Sequence, residues 1–579
     1  MKLKKALSLL LVCTMLASLT ACGSSSNTTT DTTATDTTTD TAASGDAAAS
    51  TATDGFYVSE ADGGKTTDKF TIWAGWTSES PNDTTVQKVM KEQLGIDYDV
   101  EYMQSSDYMT TLNLKLSSGA ELPDVMIFPY DKSVESALIT ADRVMNLNDV
   151  YTSAKLTNIP SIDSRIQDYI TTSSGDKWWI PGYYALEYDE PWGGWTVDAW
   201  WVRTDLLDQA GKTKDDLKTI TGMEDTMRAM AKLKDANGNN IIPLSFAQGE
   251  NHEEKIIIST FGVDTANGVS GMPAVMNING ENVFMYDNPN YKAAYQWMNK
   301  MYREKLIDME ATTMSKERFA EKIESGQVGM FTTDLWVSGL NETWKSYDSG
   351  ADSVTFNYEP VSDPTVDGVD TAYTSYVNPN PGYMVFINKD TDNLNAVLNF
   401  LEWANEPSPY RGQEINEGPL GVLWNFVDES TGTWDFDADY KVERDSGDSA
   451  RVAACTHQLW QFGSYSNKWY AWWNQDVGDS KAGAGLVSKW CKYIASNIDN
   501  QRVITPMDSV KTDVDGVIAA NLESLKNVVD EYSAKLIMAD SDEKFESVYK
   551  EFQEQLDLRA HWSDMKAEWS TLYQEQTTK

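Results

Sequence analysis

Side chains able to do acid/base or metal chemistry are scarce in this sequence, and side chains able to hold a flat polar ligand are abundant. There are three histidines, His252, His457 and His561, so imidazole chemistry has little to draw on. His252-Glu253-Glu254-Lys255 lacks the second histidine of a zinc-protease helix. Gly268-Val269-Ser270-Gly271-Met272 lacks the final glycine of a nucleophile elbow. Gly483-Ala484-Gly485-Leu486-Val487-Ser488 is an incomplete dinucleotide fingerprint with no convincing strand before it. A glycoside hydrolase needs only two carboxylates about 5 to 9 Å apart. With 88 acidic residues that class stays open by count, although no local pattern nominates a pair.

The 21 tryptophans and 27 tyrosines point instead to binding. A pyranose presents an apolar face of C–H bonds and a rim of hydroxyls, so its site wants aromatic platforms edged by carboxylates and amides. The densest cluster runs Trp178-Trp179-Ile180-Pro181-Gly182-Tyr183-Tyr184 and then Pro191-Trp192-Gly193-Gly194-Trp195. Gly and Pro around these rings predict loops, which gives ligand contact at two or more of Trp178, Trp179, Trp192 and Trp195, against packing between lobes as the plain alternative. In the cluster Trp460 to Trp473, the spacing of Trp469, Trp472 and Trp473 fits a helix packed in a core; Trp460 is kept as a cleft candidate. Asp235, Asn237 and Asn239 alternate as at the start of a calcium loop, but positions six and twelve of such a loop hold Asn240 and Phe246 in place of glycine and glutamate. A plain Asn/Gly turn is the expected reading there, with no cofactor and calcium as the weaker alternative.

The elements that must position these residues read as α/β. Lys69 to Trp73 predicts a strand, 84–94 a helix stopped by Gly95, Ile96 to Met103 a strand, 108–116 a helix ending at Gly119, and Pro123 to Phe128 a buried parallel strand. In such sheets the ligand crevice lies beyond the strands' carboxyl ends, which nominates Trp76 and Phe128-Pro129-Tyr130-Asp131. Asp287-Asn288-Pro289 caps a helix whose Tyr291, Ala294, Tyr295, Met298, Met301 and Tyr302 form a core stripe. Near the C-terminus, Phe545, Val548, Tyr549, Phe552 and Leu556 make one amphipathic face, and Trp562, Met565, Trp569 and Leu572 another.

The N-terminus reads as an address. Lys2, Lys4 and Lys5 precede an apolar run to Ala21, too short to span a bilayer. From Gly23 to about Asp62 the chain is almost wholly Ser, Thr, Ala, Asp and Gly, a tether with little to pack. The formal charge of −41 makes nucleic acid and anionic lipid poor partners. Beyond the leader only Cys22, Cys455 and Cys491 remain, and the last two are compatible with a disulfide or with two buried thiols.

Leu19-Thr20-Ala21-Cys22 resembles the lipobox of bacterial lipoproteins, which implies a signal peptide over 1–21, lipidation of Cys22, and a tether over 22–65 that anchors the chain at the outer face of a Gram-positive membrane. Phe70 to Trp76, Gly95-Ile96, Ser118 to Val125, Ala199 to Leu207, Tyr291 to Asp308, Ile323 to Met330 and Gly382 to Trp403, in that order, resemble extracellular solute-binding proteins of ABC importers. The likeness is to their large lipoprotein branch, similar to the LipO-type oligosaccharide receptors. It implies a two-lobed α/β fold of periplasmic-binding-protein type with a hinge and maltodextrin-receptor-like topology. The expected lobes are 66–195 with 373–430, and 196–372 with 431–579. The implied role is capture of an oligosaccharide, without chemistry, by a monomer that delivers it to membrane permease subunits. A surface glycoside hydrolase, or a receptor for a peptide or other polar solute, are the alternatives. Maltodextrin receptors carry a stacking tryptophan at the position matching Trp336, which follows Asp334, and an acidic hydroxyl acceptor matching Asp131. Where they have a tryptophan this chain has Phe128. Related proteins hold calcium in a loop comparable to 235–240, with a following acidic residue that is missing here.

Overall fold

The computed structural model describes residues 68–74, 81–103, 107–186, 199–333, 358–376, 381–465 and 501–577, apart from a few short gaps within these spans. Along the chain the strands are β1 (Lys69–Ala74), β2 (Asp97–Tyr102), β3 (Val125–Pro129), β4 (Ile180–Gly182), β5 (Ala199–Arg203), β6 (Ile242–Ser245), β7 (Val275–Ile278), β8 (Glu281–Phe284), β9 (Val328–Thr333), β10 (Tyr358–Val361), β11 (Ser375–Tyr376), β12 (Tyr383–Ile387), β13 (Trp424–Asp428), β14 (Thr433–Phe436) and β15 (Gln501–Arg502). Two sheets carry the architecture. The first has the order β2-β1-β3-β12-β4 and the second β10-β5-β9-β6.

The predicted β-α-β-α-β run forms as expected, for local reasons. Thr84 accepts from the Gln87 N–H and Gln87 returns the bond to the Thr84 N–H, a capping box that starts the helix Thr85–Leu94. Gly95 closes that helix at φ 67°, and Gly119 closes Tyr108–Ser118 in the same left-handed conformation. β1 then pairs in parallel with both β2 and β3. Phe70, Ile72, Trp73 and Ala74 are all buried, as a strand covered on both faces requires.

Two separate apolar cores follow. The first draws on Phe70 to Tyr184 and then Met384 to Phe462; the second draws on Ala199 to Val361 and then Val510 to Trp569. Two-lobed α/β architecture is thus present, with each core built from discontinuous pieces of chain. Tyr440, Cys455, Leu459 and Phe462 belong to the first core, so the stretch after 430, expected to enter the second lobe, still packs on the first. The reason is backbone pairing: Thr85 N and Val86 N donate to Ala454 O and Cys455 O, fastening that stretch to the start of the first helix. Cys455 holds a free, buried thiol, and Cys491 lies outside the described residues. The tyrosine stripe of helix Pro289–Arg303 and the amphipathic faces of helices Asp542–Ala560 and Trp562–Thr577 are buried in the second core as the periodicity predicts, except that Tyr302, Tyr549 and Leu572 are only partly buried at its edge.

One charged pair is locked inside the second lobe. Lys322 and Asp308 are 2% and 4% exposed and 2.7 Å apart, and Ser245 Oγ donates to the same carboxylate at 2.9 Å. Removing one partner strands a buried charge. Lys322→Met should therefore destabilise the protein by about 3 to 5 kcal/mol in urea unfolding, and the double change Lys322→Met/Asp308→Leu should recover a large part of that loss.

Candidate functional site

Three chain segments meet at the carboxyl edge of the first sheet. β3 ends at Pro129, opposite Tyr383 of β12, and Tyr383 is in turn opposite Gly182 at the end of β4. Two Pro-Gly-Tyr tripeptides, Pro181-Gly182-Tyr183 and Pro381-Gly382-Tyr383, are thereby placed side by side. Gly382 N donates to Tyr183 O at 3.1 Å and Gly382 O accepts from Tyr130 N at 2.9 Å. A Cβ on Gly182 would lie 2.4 Å from Gln461 O, and one on Gly382 would lie 3.1 Å from the Tyr183 ring. Only glycine permits these approaches.

The close packing throws Tyr183 into the left-handed region, at φ 53°, a strained placement for a bulky residue and of the kind that clusters at ligand sites. Its backbone is fixed by the bond from Tyr183 N to Gly463 O at 2.7 Å, and Tyr465 N donates to Tyr184 O at 2.8 Å. The result is a cluster of four rings. Tyr183 lies 4.8 Å from Trp460, 4.7 Å from Tyr465 and 6.3 Å from Tyr383, and Tyr383 lies 6.3 Å from Trp460. Tyr183, Tyr383 and Trp460 stay half-buried while Tyr465 is buried. The Gln461 amide hydrogen-bonds the Tyr383 phenol, whose burial pushes its pKa up to about 12. Gln461 is 4% exposed and its Oε1 has no partner.

Beside this cluster the β3 end turns into the helix Lys132–Thr140. Asp131 caps it by accepting from Ser133 N at 2.8 Å, and its second oxygen accepts from Tyr108 Oη at 2.8 Å. Burial, aided by the Asp131 charge, holds the Tyr108 phenol well above its usual range. Tyr130 packs edge-on against Trp179 and donates its hydroxyl to Val269 O of the second lobe at 2.8 Å. A cavity of about 360 Å³ opens here, between Tyr130 to Ser133 on one side and Glu254, Tyr286, Leu522 and Lys526 on the other. That volume lies within the range of small-molecule sites. Gly271, at φ +78°, is wedged at its rim, where a Cβ would meet Leu522 at 2.8 Å and Lys132 at 3.1 Å.

The structure thus brings together Tyr130, Asp131 and Trp460 of the nominated residues, with Trp178 half-buried against the first core. Phe128 and Trp179 are corrections: at 0% and 1% exposure they are core residues and offer a ligand no surface. Phe128 sits within the strand among Trp73, Tyr108 and Phe386. Trp179 is turned inward, with its indole N–H donating to Glu135 at 3.3 Å. Trp76, Trp192, Trp195, Asp334 and Trp336 lie outside the described residues. Tyr183, Tyr383 and Tyr465 were not nominated. The repeated Pro-Gly-Tyr was the signal available for the first two.

The 235–240 loop does not fit calcium. Asp235 Oδ1 accepts from the backbone N–H of Asn237 and Asn239, and Oδ2 from the Asn239 side chain, so the turn consumes its own carboxylate. These bonds, the Asn239 side chain foremost, lower the Asp235 pKa. Phe246, at the position of the bidentate ligand, is buried in the second core, and Lys234 puts an ammonium on Asn240. Among the described residues no His, Cys, Asp and Glu cluster has metal-site geometry.

A model of the bacterial extracellular solute-binding protein family matches residues 76–409. Two α/β lobes with a ring-lined crevice edge define a binding protein, and this chain belongs to that family. The family is one of solute-binding proteins. This chain is 27% identical over 281 residues to the fructooligosaccharide ABC transporter substrate-binding protein FusA of Streptococcus pneumoniae, a match covering 46% of this chain and 49% of FusA. The chain therefore spans about half the length of that curated relative. The solved structure of a FusA EF-hand mutant with fructo-nystose superposes at TM-score 0.60 and 16% identity, covering 88% of this chain and 100% of that one. An HMO-binding, ABC-transporter-associated solute-binding protein from Bifidobacterium longum infantis superposes at 0.62 and 15% identity, over 87% and 98% of the two chains. The alginate-binding protein AlgQ2 without calcium superposes at 0.63 and 15%, over 90% and 99%. Among the described residues no helix is long and apolar enough to cross a membrane.

Two predictions follow from the local chemistry. Excess EDTA should leave the melting temperature unchanged, because the 235–240 turn needs no ion. At the other end of the edge, His457 is buried against the Tyr98 and Tyr102 rings, its Nδ1 shares a hydrogen bond with Tyr102 Oη, and its Nε2 has no partner. Burial pushes the imidazole down to about 4, outweighing the opposite pull of the Asp99 carboxylate. The fold holds the neutral ring, so its contribution is complete above about pH 6.5 and is lost as pH falls toward 4, roughly 3 kcal/mol in all. Melting curves between pH 7 and 4 should show this loss, and His457→Gln should flatten it.

Proposed function

We propose that this chain is the substrate-binding lipoprotein of an ABC importer, and that it captures an extracellular oligosaccharide between its two lobes and passes it unchanged to permease subunits. The observation that carries the reading is the ring cluster Tyr183, Tyr383, Trp460 and Tyr465, built on the carboxyl edge of the first sheet, where Gly382 accepts from the backbone N–H of Tyr130. Half-buried rings stack on the C–H faces of sugars, and the Asp131 carboxylate, beyond the bonds it accepts from Ser133 and Tyr108, has lone pairs left for hydroxyl protons. Trp76, Trp178, Trp192, Trp195, Asp334 and Trp336 complete the proposed ligand set. Relatives named for fructooligosaccharide, HMO and alginate support a saccharide as cargo. Lobe limits near 66–195 with 373–465, and 196–372 with 501–577, are the proposed division, and a hinge between them lets ligand favour the closed form through its higher affinity for it. The lipobox-like Leu19-Thr20-Ala21-Cys22 supports a monomer tethered by lipid on Cys22 at the outer face of a Gram-positive membrane.

Thermal-melt titration of the full chain against plant, host and microbial oligosaccharides tests this reading. A ligand present at about 100 times Kd should add about 2.7 kcal/mol of stability, visible as a raised melting temperature, with the sugar recovered intact. Trp460→Ala should cost about 2 kcal/mol of binding while the unliganded melt moves little. Failure of every saccharide to shift the melt, or recovery of cleaved product, would overturn it.

A further inference from the structure

We infer that residues 511–514 form a strap between the lobes, which holds the crevice narrow at the β3 end and has to let go before a ligand can enter or leave. The strap is fastened to the second lobe on both sides. Val510, just ahead of it, is 1% exposed in the second core. Lys511 N donates to Gln576 Oε1 at 2.9 Å and Gln576 Nε2 returns a bond to Lys511 O at 2.8 Å, which pins the segment to the helix Trp562–Thr577. Beyond the strap, Ile518 N donates to Glu568 of the same helix at 2.6 Å. Between these two moorings the chain faces the first lobe.

Three bonds cross from that stretch. The Lys511 ammonium pairs with Asp168 in the helix Ser164–Tyr169. Asp513 Oδ1 accepts from Ser174 N at 3.0 Å, and Val514 O accepts from Ser136 Oγ at 3.0 Å. The Tyr130 bond to Val269 continues the same line, since Val269 N donates to Asp508 O at 2.7 Å just before the strap. Ser136 lies one turn along the helix Lys132–Thr140 from Lys132 and Ser133, which line the cavity. The crevice therefore widens at the β3 end only if this helix moves away from 508–514.

The chemistry of this contact suits a device that opens. The two apolar cores stay separate, and the bonds that cross are polar and partly open to water, with the Asp168 side chain 70% exposed and that of Lys511 19%. Such contacts exchange for water at little net cost, and an exposed ion pair is screened by salt. The buried pair of Lys322 and Asp308 inside the second lobe has no such exchange. Lys177 stands beside the strap pair: burial first, and the Lys511 charge second, lower its pKa, and the Asp168 charge opposes them. Two ammonium groups thus draw on one carboxylate. Asp168→Lys sets like charges against each other across the contact, and adding Lys511→Glu restores an acid between two bases.

The test uses the full chain as wild type, Asp168→Lys, Lys511→Glu and the double variant. Small-angle X-ray scattering without added ligand reads the lobe arrangement. Each single variant should have a larger radius of gyration than wild type, the double variant should return to the wild-type value, and wild type should itself expand as salt rises. Ser136→Ala removes one crossing bond and no charge, so it should shift the scattering the same way even if a charge reversal disturbs folding. Single variants that scatter as wild type, or a double variant as expanded as the singles, overturn the strap. Its effect on ligand exchange rests on the saccharide reading and is measured by stopped flow with a saccharide that raises the melting temperature. Association and dissociation should both quicken about threefold in the single variants and return in the double. Expanded single variants with unchanged exchange rates overturn the gating and leave the saccharide reading intact. Binding of no saccharide by wild type overturns that reading and the gating with it, and scattering still decides the strap.

Discussion

Strand β12 is the constraint on which the molecule depends. It arrives after the chain has built most of the second lobe, and it inserts antiparallel between β3 and β4 of the first. Met384, Val385, Phe386 and Ile387 are all buried there, so the first core is incomplete without a segment about two hundred residues downstream of β4. The chain must leave the first lobe and come back, and later leave again, because Val510 to Trp569 complete the second core. Multiple crossings of this kind hold two rigid bodies together while leaving them free to rotate about the connections.

The same insertion makes the crevice edge. Pairing of Tyr383 with both Pro129 and Gly182 lines up the ends of three strands, and Gly182 lets the Gln461 carbonyl approach more closely than any side chain would tolerate. Tyr183 absorbs the strain in its backbone, which turns its ring into the cluster. The turn around Gly271 and the helix Val517–Ile537 carry the second lobe up to the β3 end, where Tyr130, next to Asp131, already bridges to Val269. A ligand held at Asp131 thus sits one residue from a contact between lobes, which gives a structural route from occupancy to lobe position.

Much of the fold was legible because its signals are local. Capping at Thr84, left-handed glycines at 95 and 119, alternation in β1 to β3 and the helical stripe from Tyr291 to Met301 all depend on neighbours within a turn or two. The stretch after residue 430 was misjudged because its lobe membership depends on backbone bonds from Thr85 and Val86, which no local pattern encodes. Phe128 and Trp179 were nominated by position and by neighbouring turn residues, and both rings turned inward because a buried strand and a buried carboxylate at Glu135 offered them better partners than a crevice.

The sequence by itself determined the class of fold, which follows from composition and short-range periodicity, and its aromatic content nominated a binding site. Only the tertiary structure decided which aromatics meet. Two Pro-Gly-Tyr tripeptides two hundred residues apart are unremarkable separately, and they become one surface because a returning strand pairs with β4 antiparallel and sets Gly182 opposite Tyr383. Ring stacking, hydrogen bonding and ion pairing act over a few ångströms in space, and separation along the chain carries no information about that distance.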